Sequence, residues 1–410
     1  MQPLIEELRA VTRVETEQRT LYALDGSVPE LVLFPSSWEE VSRALQVCTR
    51  HHAPGVVWGG GTQVGVGNPI RAYRWAIDMR ALSQQVDYSP TDLVVTAPAG
   101  MTLGALQELL RPQQQWLPID APLPARQTLG GIVASNSTGP RRQRYGLPRE
   151  WLLAVRAVLP SGEHIKAGVG VVKNVAGYDL PRLFAGSWGT LGVLTELTFK
   201  VAALPEVSCA YQYTLREPEE LPLLRDALQH PLLSLEMLEA VYERGGGWRV
   251  VCGVAGFEEE VRWLLALLQE RTHRDWTPLS PEEVDRLRDR PLLEGALCRC
   301  RLVVPPAHTA ELVMTLSQRF AEAGIQAHLG VGTIHIWWDE ALPEVQDLQD
   351  LRKEAHQRDG FCIIEQAPAE YKNSIGVWDM VRGGAQVMRR LKRGFDPLGV
   401  LAPGRFVEGL

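Results

Sequence analysis

The feature that most constrains this chain is the segment V-V-W-G-G-G-T-Q at residues 56–63, where a short apolar run breaks into three consecutive glycines. Three glycines cannot stabilise the interior of a strand or a helix, because they lose the most backbone entropy on folding and have no side chain to pack. The pattern predicts a strand that ends in a tight loop. Two interpretations of the loop stay open. It is an ordinary turn, or it is a concave row of backbone N–H groups that binds a diphosphate, with a threonine hydroxyl as a further donor.

The spacing of these glycines excludes two common nucleotide-binding sequences. Val64 stands where the pattern G-x-G-x-x-G requires its third glycine, and no lysine follows as it does in a P-loop. The candidate ligand-binding residues of the loop are Gly59, Gly60, Gly61, Thr62 and Gln63.

Composition narrows the class of protein. The chain has 410 residues, of which 45% are hydrophobic and 22% charged, as in ordinary globular proteins. The net charge of −7 argues against a nucleic-acid partner. No apolar run reaches the roughly 18 residues of a transmembrane segment, and the first residues lack a signal-peptide pattern. We therefore expect a cytoplasmic protein.

The six cysteines are scattered, which is typical of buried thiols in a reducing compartment. The single close pair, Cys298 and Cys300, lacks the C-x-x-C spacing of iron–sulfur ligands. An iron–sulfur relay would therefore have to lie in another protein.

Along the chain, strands and helices alternate in a way that predicts an α+β fold. A capping serine and early carboxylates predict a helix from Ser36, and helical spacing predicts another over Leu103–Leu110. Strands are predicted at residues 55–58, 75–79, 93–97, 155–159, from 165 onward, and in the segment that ends at Lys200.

Small residues dominate the segment from Thr128 to Gly139, which predicts either a flexible linker or backbone that lies close against a flat partner. The apolar Leu129 and Ile132 disfavour a linker. The arginines that follow, at positions 141, 142 and 144, form either a solvated loop or a contact with an anion or a partner.

Several of these segments, taken together, resemble a known family. They are Gly59–Thr62, Thr128–Gly131, Asn136–Gly139, Tyr145–Gly146 and Gly189–Thr195. Their order and spacing are similar to the FAD-binding domain of the vanillyl-alcohol-oxidase (PCMH-type) flavoproteins, and most similar to the glycolate oxidase and D-lactate dehydrogenase branch. The sequence F-D-P-L-G-V-L-A-P-G-R at residues 395–405 matches the C-terminal signature of that branch, with Ala402 in place of asparagine.

The resemblance implies a domain organisation and a cofactor. A PCMH-type FAD-binding domain of two subdomains would cover residues 1–202, an α+β cap on the substrate side of the flavin would cover 203–345, and residues 346–410 would return to the FAD domain. FAD would bind non-covalently, since the glycine loop contains no histidine. Besides the loop residues 59–63, the expected cofactor-binding residues are Pro122, Thr128, Gly130, Gly131, Ser135, Asn136, Gly139, Gly189, Gly192, Val193 and Arg405.

The same resemblance implies oxidation of a small 2-hydroxy acid, and three hypotheses stay open. The short chain is more similar to the E-type subunit of bacterial glycolate oxidase complexes than to the D-type subunit. It would then be an FAD-binding subunit of a heteromer with a D-type flavoprotein and an iron–sulfur subunit. The alternatives are a stand-alone FAD enzyme and a non-catalytic assembly subunit that keeps the flavin fold.

Members of this branch hold a divalent metal such as zinc through an H-x-G-D-G-N-x-H sequence and a later E-H-G. His328, His335 and Glu365 match the three ligands, but Val331 and Thr333 replace the aspartate and the asparagine. Gln366 stands at the position of the family's catalytic base, and a carboxamide cannot accept a proton at neutral pH. The structural alternative is an unbroken strand whose two histidines point to opposite faces.

Overall fold

The computed structural model describes residues 2–82, 86–168, 179–245, 247–292, 295–379 and 383–410. The chain divides into two compact units. The first unit contains residues 1–137, 147–203 and 380–410, and the second unit contains residues 138–146 and 204–379.

Both units combine helices with β-sheets, as the predicted α+β class requires. The strands of the first unit are β1 Arg13–Glu15, β2 Leu31–Phe34, β3 Gly55–Trp58, β4 Trp75–Asp78, β5 Asp87–Ser89, β6 Val94–Pro98, β7 Gln115–Trp116, β8 Leu152–Val158, β9 His164–Gly168, β10 Val193–Lys200 and β11 Ala202–Ala203. Those of the second unit are β12 Val207–Thr214, β13 Met237–Glu243, β14 Gly247–Gly256, β15 Thr277–Pro278, β16 Cys298–Val303, β17 Gly324–His328, β18 Thr333–Trp338 and β19 Phe361–Gln366.

The α-helices are α1 Gln2–Arg9, α2 Trp38–Arg50, α3 Leu103–Leu110, α4 Leu129–Ser135, α5 Arg142–Tyr145, α6 Pro148–Trp151, α7 Leu180–Phe184, α8 Glu220–Leu228, α9 Glu258–Thr272, α10 Pro281–Asp289, α11 Thr309–Arg319, α12 Val345–Gln357, α13 Ala369–Ile375 and α14 Ala385–Phe395. Short 3₁₀ helices lie at Arg19–Tyr22, Met79–Leu82, Arg111–Gln113, Arg290–Leu292, Pro306–His308 and Val407–Gly409. Within the described ranges, no helix has both the length and the apolar character that crossing a bilayer requires.

The first sheet of the first unit carries the glycine loop. Its strand order is β1-β2-β4-β3, and β3 and β4 are parallel. Helix α2 begins where the sequence predicts, because the hydroxyl of Ser37 accepts the N–H of Glu40 at 3.3 Å. Its apolar face buries Val41 and Leu45 in the core of this sheet. Since β3 ends at Trp58, the three glycines leave the sheet at a strand end.

The second sheet of the first unit is antiparallel, with strand order β5-β6-β10-β8-β9. Helix α4 packs on it through Ile132 and Val133, which are fully buried. The sequence predicted no helix here, because the pair Gly130-Gly131 provides no side chains for a helical apolar pattern. The side chain of Thr128 caps the helix by accepting the N–H of Gly131 at 3.2 Å.

A buried ion pair fastens the C-terminal segment to the rest of the first unit. The ammonium of Lys392 donates to the carboxylate of Asp396 at 2.6 Å and to the carbonyls of Thr190 and Leu401 at 2.8 and 2.9 Å. Asp396 also accepts the N–H groups of Val400 and Leu401. Burial lowers the pKa of Lys392, while the adjacent carboxylate favours its charged form.

The second unit is built on one antiparallel sheet of eight strands with helices packed against it. The strand order is β15-β12-β14-β13-β17-β18-β16-β19. One face of the sheet packs on helices through residues such as Cys300, Ile325 and Ile336. Alternate residues of β16 and β18, including Arg301 and His335, lie on the other face, which is polar.

The second unit extends further along the chain than the predicted cap. The cap was expected to end at residue 345, whereas the unit continues to Asp379, because β19 pairs with β16 inside the eight-stranded sheet. It also includes residues 138–146, where a solvated arginine loop was one of the two interpretations of the sequence. Arg141 instead forms an ion pair with the buried Glu236 at 2.6 Å, and Arg144 donates to the carbonyl of Ala255.

We predict that Lys392→Met lowers the free energy of unfolding by about 3–5 kcal/mol, because it leaves the buried carboxylate of Asp396 without its counter-charge. Lys353→Met is the matched control, since Lys353 pairs with Asp350 at 2.9 Å but has a 64% exposed side chain. The control should cost less than about 1 kcal/mol. Equal losses for the two variants in chemical denaturation would contradict the role given to Lys392.

Candidate functional site

The glycine loop lies directly against the segment that precedes α4. A Cβ atom on Gly60 would stand 1.7 Å from the carbonyl oxygen of Arg126, and one on Gly59 would stand 2.1 Å from Oγ1 of Thr128. Both distances are far shorter than any van der Waals contact. These two glycines are therefore required by the protein's own packing, whereas the sequence suggested that they leave room for a ligand.

The next residues of the loop offer backbone donors. In the described part of the chain, no backbone carbonyl accepts the N–H groups of Gly60, Gly61 and Thr62. Gly61 has a φ of +71°, a left-handed conformation that lets successive N–H groups converge on an anion. A Cβ on Gly61 would meet only the ring of Trp58, at 3.1 Å. The loop therefore keeps a half-buried row of donors, as the diphosphate interpretation requires.

The loop is tied to the end of α4 by a side-chain hydrogen bond. Nε2 of Gln63 donates to Oγ of Ser137 at 2.6 Å. Two residues before Ser137, the buried hydroxyl of Ser135 donates to the carbonyl of Gly131. Asn136 ends the helix with a φ of +54°. The predicted residues of these two segments are thus brought together within the first unit.

Gly130 explains why the start of α4 is made of small residues. Its N–H donates to the carbonyl of Ala99 at 2.8 Å, and a Cβ on it would stand 2.9 Å from the Cβ of Ala99. The backbone does lie close against a partner, as the composition predicted, but that partner is the end of β6. Pro122 is buried in the segment that leads to this helix.

The turn at residues 186–192 folds back onto α4. The N–H groups of Gly186 and Trp188 donate to the carbonyls of Val133 and Ala134 at 3.0 and 2.8 Å. Gly189 has a φ of +70°, and a Cβ on it would meet nothing closer than Val57 at 3.8 Å. The predicted residues Gly192 and Val193 continue this turn into β10, where Val193 pairs with Val158.

Three buried polar atoms around α4 make no hydrogen bond within the described part of the protein. They are Nε2 of Gln127, Oδ1 of Asn136 and Oγ of Ser187. Buried polar atoms almost always have a partner, so these three indicate a polar ligand. Sequence reasoning missed Gln127 and Ser187, and the only local signal was their position beside the glycine-rich segments.

These groups fit FAD. The row of N–H donors at residues 60–62 would hold its diphosphate, and the unpaired amide and hydroxyl groups beside α4 would meet its other polar atoms. Two of the predicted cofactor-binding residues, Gly139 and Arg405, do not belong to this group around α4. Gly139 is part of the second unit, where its carbonyl accepts the N–H of Arg142.

Arg405, the second predicted residue that lies away from α4, is held by other parts of the first unit. Its guanidinium donates to Asp25 at 3.1 Å and to the carbonyls of Val64 and Asn68 at 2.6 and 3.2 Å. It is 5% exposed, and burial lowers its pKa. Arg405 therefore shapes the loop that follows the glycines, and its role toward a cofactor stays a prediction.

The predicted metal ligands lie on the polar face of the second unit. Strand β17 ends at His328, a tight connection follows, and β18 begins at Thr333, so the unbroken strand with histidines on opposite faces is wrong. The rings of His328 and His335 lie edge to face with centroids 5.6 Å apart. Nδ1 of His328 lies 2.6 Å from the buried carboxylate of Glu239, which orients the ring as carboxylates often orient metal-bound imidazoles.

The third predicted ligand does not complete a metal site. The two oxygens of Glu365 lie 3.3 Å from Nε of Arg299 and 3.1 Å from Nε of Arg301, and Nδ1 of His335 is 3.9 Å away. The pKa of His335 is far below its usual value because the ring is buried and because His328, Arg301, Arg299 and Arg142 surround it with positive charge. Among the residues that the structure describes, no group of three histidine, cysteine or carboxylate side chains could hold a metal ion. The residues do not fit a divalent cation.

Gln366 is not arranged to move protons. It lies at the end of β19, and its carboxamide donates to the carbonyl of Ala296. An amide has no proton-accepting form at neutral pH, so it does not replace the family's base.

Comparisons with known proteins agree with the geometry of the first unit. Residues 29–168 match the family described as FAD binding domain. The whole chain superposes on p-cresol methylhydroxylase with a TM-score of 0.74, covering 98% of this chain and 96% of that one at 15% identity. The chain has the PCMH-type FAD-binding fold. Alkyldihydroxyacetonephosphate synthase gives a TM-score of 0.70 at 17% identity, covering 98% of this chain and 84% of that one, and at such low identities the likeness shows the fold alone.

Several relatives have higher identity to this chain than these solved structures do. Glycolate oxidase subunit GlcD of Bacillus subtilis is 25% identical over 94% of this chain and 92% of its own length. Glycolate oxidase subunit GlcE of Escherichia coli is 35% identical over 47% of this chain and 54% of its own length. The mitochondrial D-lactate dehydrogenase [cytochrome] of Arabidopsis thaliana is 26% identical over 93% of this chain and 74% of its own length.

We predict that Gly60→Ala destabilises the protein even without cofactor, by about 1–3 kcal/mol or more, because the added methyl group would force the glycine loop away from Arg126. Gly65→Ala is the matched control in the same loop, since a Cβ there meets nothing within 4 Å and the residue has no positive φ. Thermal unfolding of the two FAD-free variants tests this. If both variants melt like the parent protein, the close contact does not stabilise the loop.

Proposed function

We propose that this chain is the FAD-binding subunit of a heteromeric 2-hydroxy-acid dehydrogenase, acting on glycolate or D-lactate and passing electrons towards an iron–sulfur partner. The observation that carries the proposal has two parts. Backbone N–H groups of the glycine loop and polar atoms around α4 have no partner within the described residues, and a carboxamide, Gln366, stands where the family has a proton acceptor. The names of the relatives support the substrate class, since they are glycolate oxidase subunits and D-lactate dehydrogenases.

Bound FAD would supply the acceptor for a hydride, and the protein would supply binding and orientation. The N–H donors at residues 60–62 would stabilise the negative charge of the diphosphate through hydrogen bonds, without a cationic side chain. Thr128 and Gly130 hold the start of α4 in place beside β6, and the bond from Gln63 to Ser137 fixes the loop to the far end of the helix. These contacts preorganise the first unit for the cofactor.

A heteromer explains two features of the sequence. The six cysteines include no C-x-x-C pair, so an iron–sulfur relay would belong to a partner. A D-type flavoprotein in the same complex would supply the general base that accepts the substrate's hydroxyl proton, because Gln366 cannot accept it. The similarity to both a GlcD and a GlcE subunit supports such a complex.

A second candidate is a stand-alone FAD-dependent 2-hydroxy-acid dehydrogenase. It is favoured by the match to GlcD, which extends over nearly the whole of both chains. In that case a group other than Gln366 would have to take the proton from the substrate hydroxyl. The third possibility, an assembly subunit without cofactor, is opposed by the intact donor row and the unpaired polar atoms beside α4.

We expect the purified protein to bind one FAD non-covalently, because the residues of the glycine loop include no nucleophilic histidine. Acid precipitation should release all flavin into the supernatant, and added FAD should raise the melting temperature of the stripped protein. A protein that stays colourless and shows neither effect would exclude both catalytic candidates and favour the assembly subunit. Flavin that remains with the precipitate would instead show a covalent bond.

We also expect the chain alone to oxidise glycolate and D-lactate at least about 100-fold more slowly than a complex reconstituted with its D-type and iron–sulfur partners, since general-base catalysis contributes about 10²–10⁴-fold. Dye-linked assays over a range of pH measure both rates. Gln366→Ala serves as the control and should leave the pH profile of the complex unchanged. Equal rates with and without partners would favour the stand-alone enzyme over the heteromer.

A further inference from the structure

A cluster on the polar face of the second unit, made of Arg299, Arg301 and Glu365, has an excess of positive charge. Arg299 and Arg301 share a single carboxylate, Glu365, with N–O distances of 3.3 and 3.1 Å. In the ranges that the structure describes, neither arginine has a second carboxylate within ion-pair distance. Two guanidinium groups and one carboxylate leave one positive charge that this carboxylate cannot balance. A buried excess charge is costly unless something pairs with it.

The hydrogen-bonding capacity of the same cluster is also unused. Nε of Arg299 and Nε of Arg301 are close enough to Glu365 for electrostatic attraction but are not aligned for a hydrogen bond, and Nδ1 of His335 has no partner either. Arg299 is 5% exposed and His335 is 8% exposed. Arg301 and His335 are direct cross-strand partners, so their side chains lie side by side on one face. Buried nitrogen atoms that lack a hydrogen bond in this way indicate a missing ligand.

A pocket within the second unit touches one member of this cluster, Arg299. It has a volume of about 540 Å³, and Trp337 also forms part of its lining. The lining contains four arginines and three carboxylates, and Arg249 and Arg290 share one of these carboxylates, Glu243, at 2.9 and 3.1 Å. This size and charge suit a small organic anion.

We propose that the polar face of the second unit binds a small carboxylate directly through Arg299 and Arg301, without a metal ion. A divalent cation would be repelled by the two guanidinium groups on either side of Glu365, whereas a carboxylate can accept hydrogen bonds from both. The family resemblance predicted a metal cation here, whereas the arginines make the site favour an anion. The identity of the anion as a 2-hydroxy carboxylate rests on the proposed function, but the anion site itself does not.

Oxalate is the probe for the test, because it carries carboxylates and cannot be oxidised as a 2-hydroxy acid. We expect calorimetric titration of the full chain in buffer with EDTA to show binding with a Kd of about 1 mM or lower. In a parallel titration without EDTA, added zinc should not strengthen oxalate binding, and zinc alone should not bind to this face. Inorganic phosphate, the competing anion, should bind more weakly than oxalate.

Arg301→Gln should weaken oxalate binding about tenfold or more, because it removes a charged donor. Arg301→Lys keeps the charge and should retain more affinity than the glutamine variant, which separates charge from packing. Arg274→Gln is the matched control, since Arg274 pairs with Glu220 at 3.1 Å and does not contact the cluster. It should bind oxalate as the parent protein does.

The proposal is overturned if the folded parent protein does not bind oxalate in EDTA, if binding requires zinc, if phosphate is preferred, or if Arg301→Gln binds as tightly as the parent. Titration of the parent with oxalate and with zinc decides the matter even if neither variant folds. Because anion binding is measured without turnover and without observing the flavin, its failure is distinguishable from a failure of the proposed function.

Discussion

The contact between Gly60 and the carbonyl of Arg126 is the constraint on which the rest of the first unit depends. It brings the end of β3, in the first sheet, against the residues that lead into α4 on the second sheet. Only a residue without a Cβ can occupy this position, since the added carbon would stand 1.7 Å from an oxygen. The cap on α4 and the bond from Gln63 to Ser137 both lie next to this contact. The donor row at residues 60–62 is therefore a consequence of how two backbone segments pack.

The buried charged side chains of the protein differ in how completely they are paired. Lys392 and Arg405 are each satisfied by a carboxylate and by backbone carbonyls, and both hold the C-terminal segment against the first unit. Arg299 and Arg301 instead compete for one carboxylate and leave nitrogen atoms without hydrogen bonds. Fully paired buried charges are typical of structural roles, whereas imperfectly paired ones concentrate at functional sites.

The sheet of the second unit has one apolar face that packs on helices and one polar face that carries the candidate binding groups. Because side chains alternate along β16, Cys298 and Cys300 enter the helical core while Arg299 and Arg301 face the other side. The tight connection between β17 and β18 then brings His328 and His335 to the same face. The family resemblance grouped the histidines with Glu365 as metal ligands, and Nδ1 of His335 does lie 3.9 Å from that carboxylate. The arginines that decide the charge of the site come from β16, which precedes both histidines in the chain.

The sequence by itself determined the elements whose signals are local. It placed α2 through the cap at Ser37, β3 through its apolar run, and α3 at Leu103–Leu110, and the resemblance of its glycine segments indicated the FAD-binding fold. Only the tertiary structure decided that Gly60 packs on Arg126, that α4 is a helix, and that Arg301 stands beside His335 and Glu365. These depend on contacts between residues that are distant in the chain, and neither periodicity nor residue type reveals such contacts.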